Sequence, residues 1–262
     1  MGPLPLDWLQ LVAAASLIVV AIACARVFRL GLELDFAWAT ARTVAQLLLV
    51  GYVLLWIFEQ DAAVYVALAF AVMLGTATWT ASRRVERPVP GLLASSGIAL
   101  AIGCGATTLA VTAFIVRADP WWSPRYLLPL AGMIVGNSMN AAALTAERLQ
   151  SEIALREREI EELLSLAATP RQAVAPALRA AIRASLIPTI NSMLTVGLVA
   201  LPGMMTGQMV AGADPNIAAR YQIVVMFMLA AATTVSAVLL GALMYGRFFT
   251  TAWQLRRDLL SD

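Results

Sequence analysis

Seven long apolar segments follow one another along the chain, separated mostly by short polar stretches. A helix that crosses the hydrocarbon core of a bilayer needs about 20 apolar residues, and each segment is long enough. In chain order they cover approximately residues 8–25, 36–58, 62–82, 91–116, 126–146, 186–212 and 221–246. The pattern predicts an all-α polytopic membrane protein of about seven transmembrane helices, forming a single domain over residues 1–262.

The one long polar stretch, residues 147–185, lies between the fifth and sixth segments. Its apolar residues recur at the spacing of one helical face: Leu149, Ile153, Ile160, Leu164 and Ala167. Thr169 and Pro170 then combine an N-cap residue with a proline at the first helical position. We expect one helix to end near Ala167 and another to begin at Pro170, so that the stretch forms a helix–turn–helix elbow.

An elbow on the surface of a membrane protein offers a short rigid knob to a soluble partner. A solvated loop without a partner is the alternative interpretation. If the elbow does dock, the residues that we expect to make the contact are Glu161, Ala167, Ala168, Thr169, Pro170 and Arg171.

Composition narrows the classes of function. Of the 262 residues, 61% are hydrophobic and 13% are charged, whereas a soluble domain carries about 25% charged residues. All 18 positive residues are arginine, and the chain has neither lysine nor histidine. A GxxxxGK[ST] phosphate loop requires lysine, so the chain does not hydrolyse ATP by that route. Histidine metal sites and Ser-His-Asp triads are likewise excluded, and we expect no catalytic residues.

The arginines are distributed unevenly between the two sides of the membrane. Alternate connections, together with the elbow and the C-terminal segment, hold fourteen of them, whereas the opposite connections hold only Arg117, Arg125 and Arg220. Cytoplasmic loops carry an excess of positive residues. This bias predicts an N-terminus outside, a C-terminus inside and an elbow in the cytoplasm.

Polar and helix-breaking residues concentrate in the fifth and sixth segments. Small residues there allow close helix packing, and amides within a membrane need partners. We expect the sixth helix to break around residues 201–203, because Pro202 interrupts it. These groups suit either a packing seam or a substrate path. The candidate path residues are Met133, Asn137, Asn140, Asn191, Pro202, Met204, Met205 and Gln208.

The methionines among them leave two interpretations open. Thioethers are soft donors that suit Cu(I) better than hard cations, and they are also adaptable packing groups. The spans supply neither imidazole nor carboxylate, which Fe²⁺ prefers as ligands. No metal site is therefore assigned.

Arg42 is the lone charge inside an apolar segment. An arginine at a helix centre costs about 2.5–3.5 kcal/mol on insertion scales. It lies about two turns from the predicted cytoplasmic end, so it can reach the headgroups. A contact with an anionic substrate, with Gln46 one turn further on, is the second interpretation.

Three stretches carry a family resemblance. Residues 161–170, EELLSLAATP, followed by Leu186–Ile187–Pro188, resemble the coupling loop of ABC-transporter permeases. Glu161 matches the glutamate of the Glu-Ala-Ala triplet in that loop, and Ala167 stands where glycine is usual. GMIVGNSMN at 132–140 and TVGLVALPGMMTG at 195–207 closely resemble the family of FetB-type iron-export permeases and plant aluminium-sensitivity membrane proteins. The similarity is strongest over residues 126–240.

The resemblance implies a function and partners. It implies the membrane subunit of an ABC transporter, a multi-pass protein of the inner (plasma) membrane that pairs with itself and with a cytoplasmic ATPase. ATP and Mg²⁺ would bind that partner, and this chain would hold no cofactor and contact no nucleic acid. The implied cargo is a metal ion, iron, moved outward, and an anionic cargo such as a nucleotide sugar is the alternative.

Other classes of function remain open on sequence alone. An ion-coupled secondary transporter would need acidic or histidine residues within the spans. A membrane-embedded enzyme would need a polar catalytic cluster. A receptor or scaffold would use the elbow as its docking loop.

Overall fold

The computed structural model describes residues 7–60, 62–85 and 87–260. These ranges contain nine α-helices and no strand. The helices are α1 (Trp8–Val27), α2 (Glu33–Gln60), α3 (Ala63–Ser82), α4 (Leu92–Ala110), α5 (Pro124–Leu155), α6 (Glu157–Ser165), α7 (Pro170–Thr195), α8 (Gly203–Val210) and α9 (Pro215–Met244). A π-helical turn (Val111–Val116) continues α4, and short 3₁₀ turns follow α9 at Tyr245–Phe248 and Arg257–Leu259.

Seven helices in the described ranges are long and apolar enough to cross a membrane. They are α1–α5, α7 and α9, which confirms the predicted number of spans and the all-α class. At a rise of 1.5 Å per residue, the 32 residues of α5 extend for about 48 Å. A hydrocarbon core of about 30 Å is shorter than that, so α5 projects well beyond it.

The core is built around α5 and α9, which pack against each other and against α4 and α7. Small residues permit this close approach. A Cβ on Gly103 would lie 3.1 Å from the Ser236 nitrogen and 3.2 Å from the Ala232 carbonyl oxygen, besides meeting the Ser236 hydroxyl. Only glycine therefore fits where α4 crosses α9. By contrast, α1 and α2 leave most of their side chains exposed.

The sixth span differs from its prediction over residues 186–212. The membrane-length helix is α7, which begins at Pro170 and ends at Thr195. A seven-residue turn follows, with Gly197 at a φ of +81°, and α8 starts only at Gly203. The prediction was wrong because an apolar run reveals burial in lipid, not whether its backbone stays helical. The expected break is real, but it begins at residue 196 and not near 201.

The elbow contains the predicted turn and one additional break. Helix α5 continues from the membrane to Leu155, and α6 begins at Glu157, so the first arm is two helices. Leu149, Ile153 and Ile160 are almost fully buried, as the apolar stripe predicts. Ala167 then adopts a left-handed φ of +65°, which turns the chain into α7.

Candidate functional site

A cavity of about 420 Å³ lies between α5, α7, α9 and the turn that leads into α8. Each long helix contributes one face, with lining residues three or four positions apart. The polar lining residues are Asn137, Asn140, Ser185, Thr189, Ser192, Thr195 and Gln222. Three thioethers also line it, those of Met133, Met204 and Met226.

Three of the four hydroxyl groups with which α7 lines the cavity donate their protons to their own helix. Ser185 Oγ donates to the Ile182 carbonyl at 2.8 Å, and Ser192 Oγ donates to the Pro188 carbonyl at 3.0 Å. Thr195 Oγ1 donates to the Asn191 carbonyl at 2.9 Å. Because a hydroxyl has one proton and two lone pairs, these groups can offer only oxygen lone pairs to a ligand.

The amide groups add oxygen acceptors, and they add N–H donors as well. Asn137 Nδ2 donates to the Met133 carbonyl at 2.9 Å, within α5. Gln222 is only 5% exposed, and its Oε1 has no hydrogen-bond partner among the described residues. A buried acceptor without a partner costs about 1–3 kcal/mol. Gln222 therefore holds an oxygen ready for a cation or a hydrogen-bond donor.

Sequence reasoning missed Gln222 and the lining hydroxyls. A signal for Gln222 was present, since it is an amide near the start of an apolar span. Ser185 gave no such signal, because it lies just before the predicted start of the sixth span. It reaches the cavity wall because α7 begins at Pro170 and continues through this position.

The cavity has no charged lining residue. Among the residues that the structure describes, no group of three or more His, Cys, Asp or Glu residues could hold a metal ion. Neutral oxygens and thioethers bind a cation weakly compared with carboxylates or thiolates. The lining is therefore suited to transient occupancy and not to storage.

The structure brings to the cavity five of the ten residues predicted to contact the substrate, Arg42 and Gln46 included. Met133, Asn137, Asn140, Pro202 and Met204 line it. Asn191 lies on the exposed side of α7, outside the lining. Met205 and Gln208 lie on α8 and are part-buried, also outside the lining.

Arg42 and Gln46 are not among the cavity residues. Both are exposed on α2, a helix that contributes nothing to the cavity wall. The cavity therefore has no guanidinium that could bind an anion.

The elbow turn is built by a capping box at the start of α7. Thr169 Oγ1 accepts a hydrogen bond from the Gln172 nitrogen at 3.4 Å, and the Thr169 nitrogen donates to Gln172 Oε1 at 2.9 Å. Pro170 at the first helical position needs no donor of its own. Thr169, Pro170 and Arg171 form one side of a second cavity, of about 350 Å³, which residues 245–253 complete.

Glu161 is engaged within the chain. Arg257 Nη2 donates to both of its carboxylate oxygens, at 3.0 and 2.9 Å, and Arg257 Nε lies 2.6 Å from Glu157 Oε1. The hydrogen bond to Glu161, followed by the charges of Glu157 and Glu161, raises the pKa of Arg257 above its usual range. Ala167, at the turn itself, is exposed, and Ala168 is half-buried.

Seven membrane-length helices, three of which line a polar cavity, make this a multi-pass α-helical membrane protein. The chain belongs to the family described as "Uncharacterised protein family (UPF0014)", whose model matches residues 8–249.

Three relatives show what this chain resembles. It is 43% identical to "UPF0014 membrane protein slr1647" of Synechocystis over 95% of this chain and 96% of that protein. It is 41% identical to "Probable iron export permease protein FetB" of Escherichia coli, over 94% and 93%. It is 37% identical to "Protein ALUMINUM SENSITIVE 3" of Arabidopsis thaliana, over 95% and 90%. The predicted resemblance is thereby confirmed. No solved structure matches the chain.

Proposed function

We propose that this protein is the permease subunit of an ABC transporter that moves a metal ion, iron, out of the cell. One observation carries the proposal: α7 belongs to both sites. Its first residue, Pro170, forms the elbow turn, and its last eleven residues, from Ser185 to Thr195, include five that line the cavity. A push on the elbow would therefore reach the cavity wall through a single helix.

The cavity lining supports a cationic cargo. Three of its four hydroxyl protons are used within α7, and Gln222 Oε1 is unpartnered among the described residues. The ligand therefore meets oxygen lone pairs and thioether sulfurs, which are attractive to a cation. Release at the far side requires weak sites, and neutral donors supply them. The name of the Escherichia coli relative points to iron, and an anionic cargo finds no arginine in the lining.

The exposed amides support a homodimer. Asn137, Asn140 and Asn191 are exposed on α5 and α7, both membrane-length helices. An amide facing lipid has no hydrogen-bond partner there. A second copy that packs against these faces of α5 and α7 would offer hydrogen-bond partners to the amides.

ATP hydrolysis would take place on a separate, cytoplasmic ATPase chain that binds ATP and Mg²⁺. The lack of lysine in this chain supports that division. We place the elbow and the C-terminus in the cytoplasm and the N-terminus outside, in the inner (plasma) membrane of the cell. This chain would then need no cofactor of its own.

The test is purification of the tagged protein from its native membranes into nanodiscs, followed by measurement of ATPase activity with and without Fe²⁺. We expect an ATPase chain to co-purify and its activity to rise with Fe²⁺. In the variant Thr169→Arg/Pro170→Ala, we expect that activity to be lost. If no ATPase accompanies the wild-type protein, the proposed function is wrong. If ATPase activity is present but does not change with Fe²⁺, the assignment to an ABC transporter stands and the assignment of iron as the cargo is wrong.

A further inference from the structure

The C-terminal segment, residues 249–260, is folded against the cytoplasmic end of the bundle. Phe249, Leu259 and Leu260 are at most 9% exposed. The fully buried amide of Gln150 on α5 donates to the Leu259 carbonyl at 2.7 Å and to the Arg87 carbonyl at 3.0 Å. The segment therefore has a fixed position relative to α5.

Arg257 connects this fixed segment to α6. Its guanidinium contacts Glu157 at 2.6 Å and both oxygens of Glu161 at 2.9–3.0 Å. Glu157 and Glu161 lie four residues apart, on one face of α6. One arginine thus joins the first and second turns of that helix to the core of the protein.

Helix α6 needs such support to hold one orientation. It has nine residues, well below the length at which an isolated helix is stable in water. It is separated from α5 by the break at Arg156, and from α7 by the left-handed Ala167. Among its residues only Ile160 is fully buried. Leu163 and Leu164 also pack against the core. Arg156 spans the first break by pairing with Glu152 and Glu159, but these groups leave the face of Glu157 and Glu161 to Arg257.

We propose that Arg257 is a positioning residue that holds α6 at a fixed angle, so that force applied at the elbow reaches α7 without being lost to motion of α6. Glu161 serves this internal ion pair and does not bind the ATPase directly, in contrast to the role that the sequence suggests for it. The purpose of this contact rests on the proposed function. The contact of Arg257 with Glu157 and Glu161, called the brace below, is a property of this chain alone.

The contact is exposed enough to be altered without unfolding the protein. The Arg257 side chain is 66% exposed, and an exposed ion pair contributes little to global stability. The buried side chains of Phe249, Leu259 and Leu260 continue to anchor the segment. Arg257→Gln should therefore fold. The adjacent Arg256→Gln is a matched control, because the Arg256 side chain pairs, within the described part of the chain, only with Asp258, at 2.8 Å.

The first measurement is hydrogen–deuterium exchange of the full chain in nanodiscs, without any partner. In Arg257→Gln we expect the amides of residues 157–166 to exchange about fivefold faster, because local opening becomes easier. Exchange in α9 should not change, and Arg256→Gln should remain within about twofold of wild type throughout. Equal exchange in the two variants overturns the brace, whether or not an ATPase partner exists.

The second measurement uses the complex with its co-purified ATPase and Fe²⁺ as the probe. With Arg257→Gln, the amount of co-purified ATPase should stay within about twofold of wild type. The Fe²⁺-stimulated rate of ATP hydrolysis should fall about fivefold. Glu161→Gln should show the same phenotype in weaker form, because Arg257 keeps its contact with Glu157. The double variant should be no worse than Arg257→Gln, which already removes both contacts. If Glu161→Gln releases the ATPase while Arg257→Gln retains it, Glu161 binds the partner and the inference is wrong. If no ATPase co-purifies with the wild-type protein, the proposed function is wrong. The hydrogen–deuterium exchange result then decides by itself whether Arg257 positions α6.

Discussion

At the scale of single residues, what the cavity lining can offer to a ligand depends on which of its donors and acceptors are already hydrogen-bonded within the protein. Ser185, Ser192 and Thr195 each donate to a carbonyl of α7, and Gln222 keeps an acceptor without a partner. A count of hydroxyl groups alone would describe this lining as uncharged and equally able to donate and to accept hydrogen bonds. The bonds show that three of its hydroxyl groups can offer only oxygen lone pairs, whereas its amides offer both acceptors and donors.

Replacing Gln222 with leucine should separate its role in transport from its role in stability. The change removes a buried orphan acceptor, so we expect stability to rise slightly or stay within about 1 kcal/mol. Loss of the oxygen should reduce Fe²⁺ flux in proteoliposomes by about tenfold, which corresponds to one hydrogen bond or ion contact. Thermal unfolding and flux are the two measurements.

Gln208→Leu is the matched control for that substitution. Gln208 also has a buried Oε1 without a partner in the described ranges, but it does not line the cavity. We expect the same change in unfolding temperature and an unchanged flux. Equal flux losses in the two variants would contradict the role of Gln222.

At the scale of elements, α7 is the component that joins the elbow to the cavity. Its 26 residues would extend for about 39 Å as an unbroken helix. It tolerates Pro176 and Pro188 in its interior, and Pro188 is also a cavity residue. Motion transmitted along α7 would therefore arrive at a point where the backbone lacks one hydrogen bond and can bend.

Thr169→Ala should weaken this link at the elbow end of α7. Loss of an N-cap side chain costs about 1 kcal/mol, so the first turn of α7 should fray. We expect the ATPase to remain bound and the coupling between hydrolysis and Fe²⁺ flux to fall by a few-fold, about the factor that this energy implies. Thr169→Ser retains the capping oxygen and should behave as wild type. A serine variant as impaired as the alanine variant would argue against the cap.

At the scale of the whole molecule, the described part of the chain has a well-packed region that still exposes polar groups. Helices α4, α5, α7 and α9 form the packed region. Asn137 and Asn140 on α5 and Asn191 on α7 are exposed. Membrane helices pair through close contacts and polar bonds, so these exposed faces are where the proposed second copy would bind.

Cysteine cross-linking tests that arrangement. In a background of Cys24→Ser and Cys104→Ala, which removes both native cysteines, Asn191→Cys should form a disulfide-linked dimer upon mild oxidation in membranes. Val19→Cys on α1 is the control, since Val19 is 64% exposed and α1 is not part of the proposed interface. Equal cross-linking at both positions would indicate random collision and not a specific dimer.

Membrane orientation is decided by a labelling experiment in the same background. With the N-terminus outside, Ala118→Cys in the connection before α5 should react with an impermeant maleimide in intact cells. Arg158→Cys on α6 should react only in inverted vesicles. The opposite accessibility would place the elbow outside, where no ATPase could reach it.

The sequence alone predicted features that depend on composition and local pattern. Seven apolar segments predicted the membrane helices because each backbone must satisfy its hydrogen bonds within lipid. Thr169 and Pro170 predicted the start of α7 because capping is a local interaction. Asn137 and Asn140 were found because an amide within an apolar span is conspicuous.

Only the tertiary structure decided which residues meet. Gln222 and Ser185 join Asn137 because α5, α7 and α9 converge, and no local pattern encodes that convergence. Arg257 reaches Glu161 across 96 positions of sequence, a contact that depends on how the buried C-terminal segment packs. The length of α7 was misjudged because hydropathy cannot distinguish a helix from a turn buried in the same lipid. Local chemistry thus determined the elements of this protein, whereas long-range packing determined its cavity and its brace.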